Sequence, residues 1–460
     1  MTEEALKRFQ ALLGQDQILS DPSECWPYGY DNSRRHAPPS CVLFPRSHED
    51  VVSIIKTCNE YKLAVTARGR GTGTTGGAVP LHQAVVLSFE RMNRILSVDP
   101  DNRVIVVEPG VTNQEVQNAA AACGFFWPPD PTSAAYCTIG GNIAFNSAGP
   151  RAVKYGTPRE NVLDLVAVTG DGKTIRTGVY TSKGVVGYDL TRLLIGSEGT
   201  LAIITEATLK LTPLSQTKRT MQALFTSMSH AAQAVSRIMG QADTPYALEF
   251  IDAGAIRLIK EYANIPLPAN TAAMLMIEVD GSEHSLEESI NNIRAATQGE
   301  GLIELSVAND KASVDRIWRA RKALSPTLRK IAPKKINEDV VVPVSHMADL
   351  IDGLSALSER YGITIVNFGH AGNGNIHVNL LIDPDDPIQS ANAKTCLDEV
   401  FALVLSLKGT LSGEHGVGIE KRDFIDREIS ATSLELMRAI KRTFDPNNIL
   451  NPDKVFPLRD

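Results

Sequence analysis

The chain has 460 residues, of which 43% are apolar and 22% charged, with a formal net charge of -7 and a pI near 5.8. This length predicts two or three domains, each able to bury its own core. The acidic balance and the lack of a basic run argue against a nucleic-acid partner, and no apolar run reaches the ~18 residues of a membrane span.

The first predicted elements alternate between helix and strand. An amphipathic helix covers residues 3–13, a strand follows at residues 41–45, and Ser47 caps a second helix with a buried apolar stripe. A strand at residues 63–67 then leads into the stretch around which the rest of the chain is organised.

That stretch is a glycine-rich loop from Arg68 to Gly77, with a literal G-x-G-x-x-G at residues 71–76. In a Rossmann site this fingerprint opens a helix whose N-terminus faces the pyrophosphate. Here only residues 78–83 precede the next predicted strand, and a crossover with its helix needs at least ~10–12 residues. We therefore predict that residues 70–77, the phosphate loop, hold a phosphate with backbone amides and that the cofactor is a flavin.

Two further segments rich in small residues follow the phosphate loop. Residues 127–158 are too poor in apolar side chains for a core element and are predicted to form a loop against a ligand. A hairpin is predicted at residues 163–177, and residues 194–204 again place glycine between strands. Three such loops on one strand-rich domain indicate a ligand larger than one phosphate.

The second half of the chain, beyond a boundary at residues 213–218, alternates strands with amphipathic helices. This order predicts an α+β sheet with helices over one face. A helix is expected at residues 347–361, and a last helix, capped by Thr432 and Glu435, precedes residues 445–452.

Three histidines and a carboxylate lie near each other in this second half. Residues 363–370 and 376–382 are predicted strands, and a tight turn between them would bring His370 close to His377. Glu414 and His415 follow in a glycine-flanked turn. Two imidazoles and one carboxylate suit a divalent metal, and a neighbouring histidine suits proton transfer near neutral pH. Three structural histidines are the alternative, and the spacing does not choose between the two.

These motifs resemble the FAD-linked dehydrogenases of the vanillyl-alcohol-oxidase type, in particular the branch of D-lactate, glycolate and D-2-hydroxyglutarate dehydrogenases. The resemblance runs from about Pro45 to Pro457. It implies an α+β fold with a PCMH-type FAD-binding domain and a cap domain of the FAD-linked oxidase C-terminal type. The expected division is an N-terminal helix and arm (1–37), the FAD-binding domain (38–216), the substrate or cap domain (217–425) and a C-terminal segment that returns to the FAD domain (426–460).

The same resemblance implies where FAD would bind. Covalently flavinylated members carry a histidine in the phosphate loop, where this chain has Thr74 and Thr75, so noncovalent FAD is expected. The expected FAD-binding residues are Arg70, Gly71, Thr72, Gly73, Thr74, Thr75, Gly76, Gly77, Pro129, Asp130, Ser133, Gly140, Gly141, Asn142, Asn146, Ala148, Gly149, Glu198, Gly199, Ile203 and Asn451.

The resemblance also assigns catalytic roles. His370, His377 and Glu414 match the positions that bind zinc or a similar ion, His415 matches the catalytic base, and Arg321 matches the arginine that binds the substrate carboxylate. The implied reaction oxidises a D-2-hydroxy acid to the 2-oxo acid, with hydride transfer to flavin N5. Hydroxyglutarate-selective members have a lysine just before the strand at residues 339–343, where this chain has Asn337 and Glu338, with Lys334 and Lys335 slightly earlier. This difference favours a short monocarboxylate such as D-lactate, with D-2-hydroxyglutarate and glycolate as the alternatives.

Electrons are expected to pass to a quinone, a cytochrome or an electron-transfer flavoprotein. Six cysteines without C-x-x-C spacing and an acidic N-terminus predict reduced, buried thiols in a cytoplasmic protein, with attachment to the inner membrane face and a homodimer left open. The alternatives are a nicotinamide-dependent dehydrogenase, a non-haem iron oxygenase and a non-catalytic flavin-binding subunit.

Overall fold

The computed structural model describes residues 1–262, 266–332 and 334–458, without the side chains of residues 322–323, 325–326 and 329–331. The strands are β1 (Ile18–Leu19), β2 (Cys41–Leu43), β3 (Val65–Arg68), β4 (Val85–Ser88), β5 (Ile95–Asp99), β6 (Val104–Val107), β7 (Phe125–Phe126), β8 (Val162–Thr169), β9 (Thr174–Gly178), β10 (Ala202–Lys210), β11 (Thr212–Pro213), β12 (Thr217–Phe225), β13 (Ala247–Ile251), β14 (Ala273–Gly281), β15 (Leu302–Val307), β16 (Lys334–Val341), β17 (Thr364–His370) and β18 (Asn375–Ile382).

The helices are α1 (Glu3–Leu12), α2 (Pro22–Cys25), α3 (His48–Glu60), α4 (Asn113–Ala121), α5 (Ile139–Phe145), α6 (Ala152–Tyr155), α7 (Pro158–Asn161), α8 (Leu190–Leu194), α9 (Met228–Met239), α10 (Ala253–Tyr262), α11 (Glu283–Thr297), α12 (Lys311–Ile331), α13 (Met347–Tyr361), α14 (Pro387–Ser406) and α15 (Ala431–Phe444). None of the described helices is both long enough and apolar enough to cross a bilayer.

The chain divides into two compact units. The first unit contains Met1–Gly149, Gly156–Leu214 and Glu414–Asp460, and the second contains Pro150–Tyr155 and Ser215–Gly413. Compared with the predicted division, the N-terminal arm belongs to the first unit, the boundary near residue 216 falls two residues earlier, and residues 414–425 belong to the first unit. The last difference matters because it places His415 with the phosphate loop.

The first unit contains a four-stranded sheet of order β1-β2-β4-β3 and a five-stranded antiparallel sheet of order β5-β6-β10-β8-β9. β3 and β4 are parallel, yet residues 69–84 between them contain only a short 3-10 helix at Leu81–Gln83. The phosphate loop therefore opens no α-helix, as predicted. The stripe on α3 packs against these strands through Val51, Ile54 and Ile55.

One predicted loop is a helix. α5 spans Ile139–Phe145 because Thr138 caps its first turn, accepting from the Gly141 N–H, and Asn146 ends it with a left-handed backbone, at φ 54°. Ile139 and Ile143 are buried in the core of this unit. The small residues that indicated a loop instead let the helix pack closely, since a Cβ at Gly140 would lie 2.7 Å from Pro109 Cβ.

The second unit contains a seven-stranded antiparallel sheet of order β15-β12-β14-β13-β17-β18-β16. α10 and α12 pack on one face around Ile251, Met274 and Met276. α9 and α11 contact β12 and β14 outside that cluster, so helices cover both faces, and the prediction of one covered face is wrong. The reason is that β13 and most of β14 are buried on both sides, as in fully covered sheets.

Two smaller predictions are also wrong. α15 is capped by Ser430, whose side chain accepts from the Ser433 N–H, and not by Thr432 and Glu435. Cys123 is exposed, whereas the other five cysteines are buried thiols as expected. In addition, β16 begins at Lys334, five residues before the strand expected at residues 339–343.

Candidate active site

The phosphate loop has the backbone that its glycines predict. Gly71 and Gly76 adopt φ values of 66° and 79°, in the left-handed region that favours glycine. The buried hydroxyl of Thr74 has no hydrogen-bond partner among the described residues. Buried polar atoms are nearly always paired, so this orphaned group fits a loop that a bound phosphate completes.

The N-terminal arm forms one wall of this site, which the sequence did not reveal. The Asn32 N–H donates to Gly73 O at 2.9 Å, and the Ala78 N–H donates to Asp31 Oδ2 at 3.3 Å. Burial raises the pKa of Asp31. A cavity of about 680 Å³ opens here, lined by arm residues together with Gly71, Thr72 and Ser133. Cavities of this size suit part of a dinucleotide cofactor.

The C-terminal segment holds the phosphate loop from its other side. The Asn451 amide donates to Gly77 O at 3.0 Å and to Glu198 O at 2.8 Å, while its Oδ1 accepts from the Lys454 ammonium at 2.6 Å. Lys454 also donates to Gly77 O at 2.8 Å. The Asn451 side chain thus positions the loop, and its predicted contact with FAD stays a prediction.

Several other expected FAD-binding side chains are already bonded within the first unit. Asn142 Oδ1 accepts from the Asn113 amide at 3.1 Å, and Asn146 Oδ1 accepts from the Arg159 N–H at 3.2 Å. Ile203 is buried in the core against Val168, its partner across β8 and β10. These contacts hold the three side chains within the first unit, and their contact with FAD stays a prediction.

The turn that carries Glu414 and His415 is bonded to the predicted FAD-binding loops. The Thr75 hydroxyl donates to His415 O at 3.2 Å, and the Ile419 N–H donates to Thr75 O at 2.8 Å. Glu414 Oε2 accepts from the Gly149 N–H at 2.8 Å. The structure therefore brings together three predicted motifs that are far apart in sequence and places the His415 backbone beside the phosphate loop.

Glu198 fixes the same turn. Its carboxylate accepts from the Val417 N–H at 2.6 Å and from the Gly418 N–H at 2.8 Å, and a Cβ at Gly416 would lie 2.7 Å from Glu198 Oε1. Burial raises the pKa of Glu198 to about 7, against the lowering effect of these two N–H groups and of Lys454. Glu198 thus holds the His415 turn, although burial of its carboxylate costs solvation free energy.

Replacing Glu198 by Gln should flatten the pH dependence of stability in the first unit. A carboxyl whose pKa rises on folding from 4.5 to about 7 contributes stability that is complete below pH 4.5 and is lost as the pH rises toward 7, ~3 kcal/mol in all. Burial lowers the pKa of Lys454 from 10.5 to about 7. Its contribution to the pH dependence of stability therefore lies above pH 7, outside the range in which Glu198 acts.

The measurement is the temperature at which flavin fluorescence appears on heating, recorded at pH 5 and pH 7. This temperature should be lower at pH 7 than at pH 5 in the unaltered protein. The difference between the two pH values should be smaller in Glu198→Gln. The control is Glu60→Gln, at the exposed end of α3, which should follow the unaltered protein. An equal pH dependence in all three proteins would contradict the assignment.

In the second unit, strand pairing brings two predicted metal ligands together. β17 and β18 are antiparallel, with Phe368 opposite His377 and His370 opposite Asn375, so both histidines lie on one face of the sheet. Their ring centroids are 5.2 Å apart at 84°. Both side chains are buried. The predicted approach of His370 to His377 is therefore confirmed.

The loop that leads to Glu414 is anchored beside His377. Asp339 pairs with His377 across β16 and β18, and its carboxylate accepts from the Gly413 N–H at 2.9 Å and from the Ser412 hydroxyl at 3.1 Å. The second unit thus contains two of the three predicted metal ligands, His370 and His377. Glu414 belongs to the first unit and stays a predicted third ligand.

Arg321 lies on α12 against the same face of the sheet. Its Nε donates to Glu249 Oε2 at 3.0 Å, and its guanidinium lies over the Phe368 ring, 4.4 Å from the centroid. The side chain is 12% exposed. Arg321 is therefore not a solvent-exposed arginine, while its role toward a carboxylate stays a prediction.

Comparisons with known proteins agree with this architecture. Residues 39–178 match the family described as "FAD binding domain" and residues 214–455 match "FAD linked oxidases, C-terminal domain". The chain is 38% identical to "Glycolate oxidase subunit GlcD" of Bacillus subtilis, over 93% of this chain and 92% of that protein. It is 37% identical to "D-lactate dehydrogenase" of Archaeoglobus fulgidus, over 90% of each.

The fold is also that of solved structures. The crystal structure of p-cresol methylhydroxylase aligns with 99% of this chain and 97% of its own, with a TM-score of 0.81 at 18% identity. At that identity the likeness shows the fold alone, which confirms the PCMH-type FAD-binding domain with its oxidase-type C-terminal domain. The chain belongs to the FAD-linked oxidoreductases of the D-lactate and glycolate dehydrogenase family.

Proposed function

We propose that the protein is a dehydrogenase of D-2-hydroxy acids, with D-lactate as the favoured substrate. In this proposal it uses noncovalent FAD and a divalent cation, for which zinc is the first candidate. The observation that carries the proposal is the hydrogen bonding of the His415 turn to Thr75 in the phosphate loop. A histidine held there is suited to proton transfer close to the cofactor of an FAD-linked family.

The residues of the first unit suit FAD. Backbone amides of the phosphate loop and the hydroxyl of Thr74 would hold the pyrophosphate, and Asn451 and Lys454 fix that loop through Gly77. Bound FAD supplies the two-electron acceptor for the oxidation. In the proposed reaction His415 takes the proton of the 2-hydroxyl group.

The residues of the second unit suit a cation and a carboxylate. His370 and His377 would supply two nitrogen ligands, and Glu414 of the first unit, the third ligand that the family resemblance implies, would supply an oxygen. Zinc, manganese and iron accept such a donor set. A bound cation supplies a Lewis acid for the hydroxyl oxygen. Arg321 would bind the substrate carboxylate through its two terminal nitrogens, because its Nε is engaged by Glu249.

Substrate choice and electron acceptor are parts of the same proposal. Lys335 and Asn337 lie on the face of β16 that carries Asp339, and Asn337 pairs with Asn379. The amide of Asn337 gives no charge for a second carboxylate next to Asp339, and Lys335 lies one alternate position further along the strand, so we propose a short monocarboxylate. The named relatives include a glycolate oxidase subunit and D-lactate dehydrogenases, so glycolate is the first alternative.

A quinone, cytochrome or electron-transfer flavoprotein is the proposed electron acceptor.

The test is anaerobic mixing of the purified protein with D-lactate, L-lactate, glycolate and D-2-hydroxyglutarate, with absorbance followed near 450 nm. We expect the flavin to bleach at least 10-fold faster with D-lactate than with any of the other three. Faster bleaching by glycolate or D-2-hydroxyglutarate would move the assignment to that substrate. No bleaching by any of them, in a yellow preparation, would contradict the proposed function.

A further inference from the structure

Glu249 lies at the centre of the candidate site in the second unit and has no role in the function proposed so far. It stands opposite His370 across β13 and β17, so the two side chains project from the same face of the sheet. It is the charged residue in the otherwise apolar strand Ala247–Ile251, and it is 2% exposed. A buried carboxylate is costly unless it is paired, so its partners show what it holds in place.

Each oxygen of Glu249 has its own partner. Oε1 is hydrogen-bonded to His370 Nδ1, and Oε2 accepts from Arg321 Nε at 3.0 Å. One carboxylate therefore orients both the proposed metal ligand and the proposed carboxylate-binding arginine.

We infer that Glu249 is a positioning residue that couples the cation site to the substrate-carboxylate site. The inference rests on the proposed function. Through Oε1 it keeps the proton of His370 on Nδ1, which directs Nε2 toward a cation. Through Oε2 it holds Arg321 by Nε, so that the two terminal nitrogens form the fork that grips a carboxylate. Phe368 supports the guanidinium from one face.

Glu249→Gln tests this role because an amide cannot serve both partners. Its single oxygen can accept from either His370 Nδ1–H or Arg321 Nε–H, and its NH₂ group then faces the other. If the NH₂ group faces His370, Nδ1 must accept, and the proton moves to Nε2, which removes that nitrogen as a ligand. If it faces Arg321, the guanidinium loses its anchor.

The control is Glu278→Gln. Glu278 lies on β14 of the same sheet, where its Oε1 accepts from the Thr220 hydroxyl at 3.0 Å and from Trp318 Nε1, also on α12, at 2.8 Å. The two substitutions are chemically identical and both affect a link between the sheet and α12. Of these two glutamates, Glu249 is the one bonded to His370.

The measurements are zinc affinity of the FAD-loaded protein by competition with a chromophoric chelator, and KM and kcat for the substrate at saturating zinc. In Glu249→Gln we expect zinc affinity to fall 10- to 100-fold and KM to rise about 10-fold, with kcat within about threefold. Glu278→Gln should keep unaltered values. Glu249→Asp keeps the charge, so its zinc affinity and KM should lie between those of Glu249→Gln and Glu278→Gln. This variant replaces Glu249→Gln in the test if Glu249→Gln does not fold.

The outcomes separate this inference from the function on which it rests. Equal zinc affinity and KM in Glu249→Gln and the unaltered protein would overturn the inference and leave the proposed function standing. An equal change of zinc affinity and KM in Glu278→Gln would also overturn the inference, because Glu249 would then only support α12 as Glu278 does. An unaltered protein that binds no zinc, manganese or iron would overturn the metal centre of the proposed function itself.

Discussion

Flavin reduction by the substrate should slow by about 10²- to 10⁴-fold when His415 is replaced by Asn, which is the range that a positioned general base contributes. The visible spectrum of bound FAD should not change. Asparagine has a similar size but cannot take a proton near neutral pH, so the substitution removes the proposed chemistry and keeps the shape of the turn.

The local structure explains why His415→Asn should leave the cofactor site intact. The turn is held by main-chain bonds and by Glu198, which accepts from the N–H groups of Val417 and Gly418. The Thr75 hydroxyl bonds to the carbonyl of residue 415 and does not depend on its side chain. Loss of activity should therefore come without loss of flavin.

The measurement is anaerobic stopped-flow at 450 nm, with flavin content determined on the same samples. His82→Asn is the matched control, since His82 lies in the first unit with its imidazole 2.6 Å from Asp453 and a left-handed backbone that asparagine tolerates. That variant should reduce its flavin at the unaltered rate. Normal flavin reduction in His415→Asn would remove His415 from the mechanism.

The parts of the site that sequence patterns predicted are those built from contiguous residues. Glycines at residues 71 and 76 predict the left-handed backbone, because few other residues adopt it without strain. Two strands joined by a tight turn fix the approach of His370 to His377 through antiparallel pairing alone. In both cases the relevant geometry is encoded within about a dozen residues.

The parts that sequence patterns missed depend on pairing between distant segments. Glu249 meets His370 across 121 positions of sequence, and only its charge within an apolar strand marks it. Asp31 acquires its role because the N-terminal arm folds onto the phosphate loop. α5 was missed because glycine and asparagine indicate a loop, whereas here the cap at Thr138 and burial of Ile143 outweigh that preference.

The roles of Glu198 and Asn451 show a related difficulty. Both stand in motifs that indicate cofactor binding, yet their side chains bond to main-chain groups of other loops. A family motif marks a residue that a site needs, but it does not tell whether that residue touches the ligand or holds the loop that does. Bonds among Thr75, Glu198 and Asn451 can be read only from the folded chain.

Removal of the proposed cation should lower turnover by about 10²- to 10³-fold, because a Lewis acid on the hydroxyl oxygen contributes several kcal/mol to the transition state. We expect this loss after dialysis against a chelator, with recovery on addition of zinc or manganese. His377→Asn should give the same loss without recovery, since His377 is one of two buried imidazoles in the donor set.

Metal content by mass spectrometry and turnover with an artificial acceptor, measured on the same samples, check this prediction. His284→Asn is the control, because His284 is exposed on α11 of the second unit and should keep both metal and activity. FAD content should stay constant throughout, since the residues that hold the phosphate loop belong to the first unit. A protein that contains no metal as purified and keeps full activity in chelator would mean that His370 and His377 serve the substrate directly.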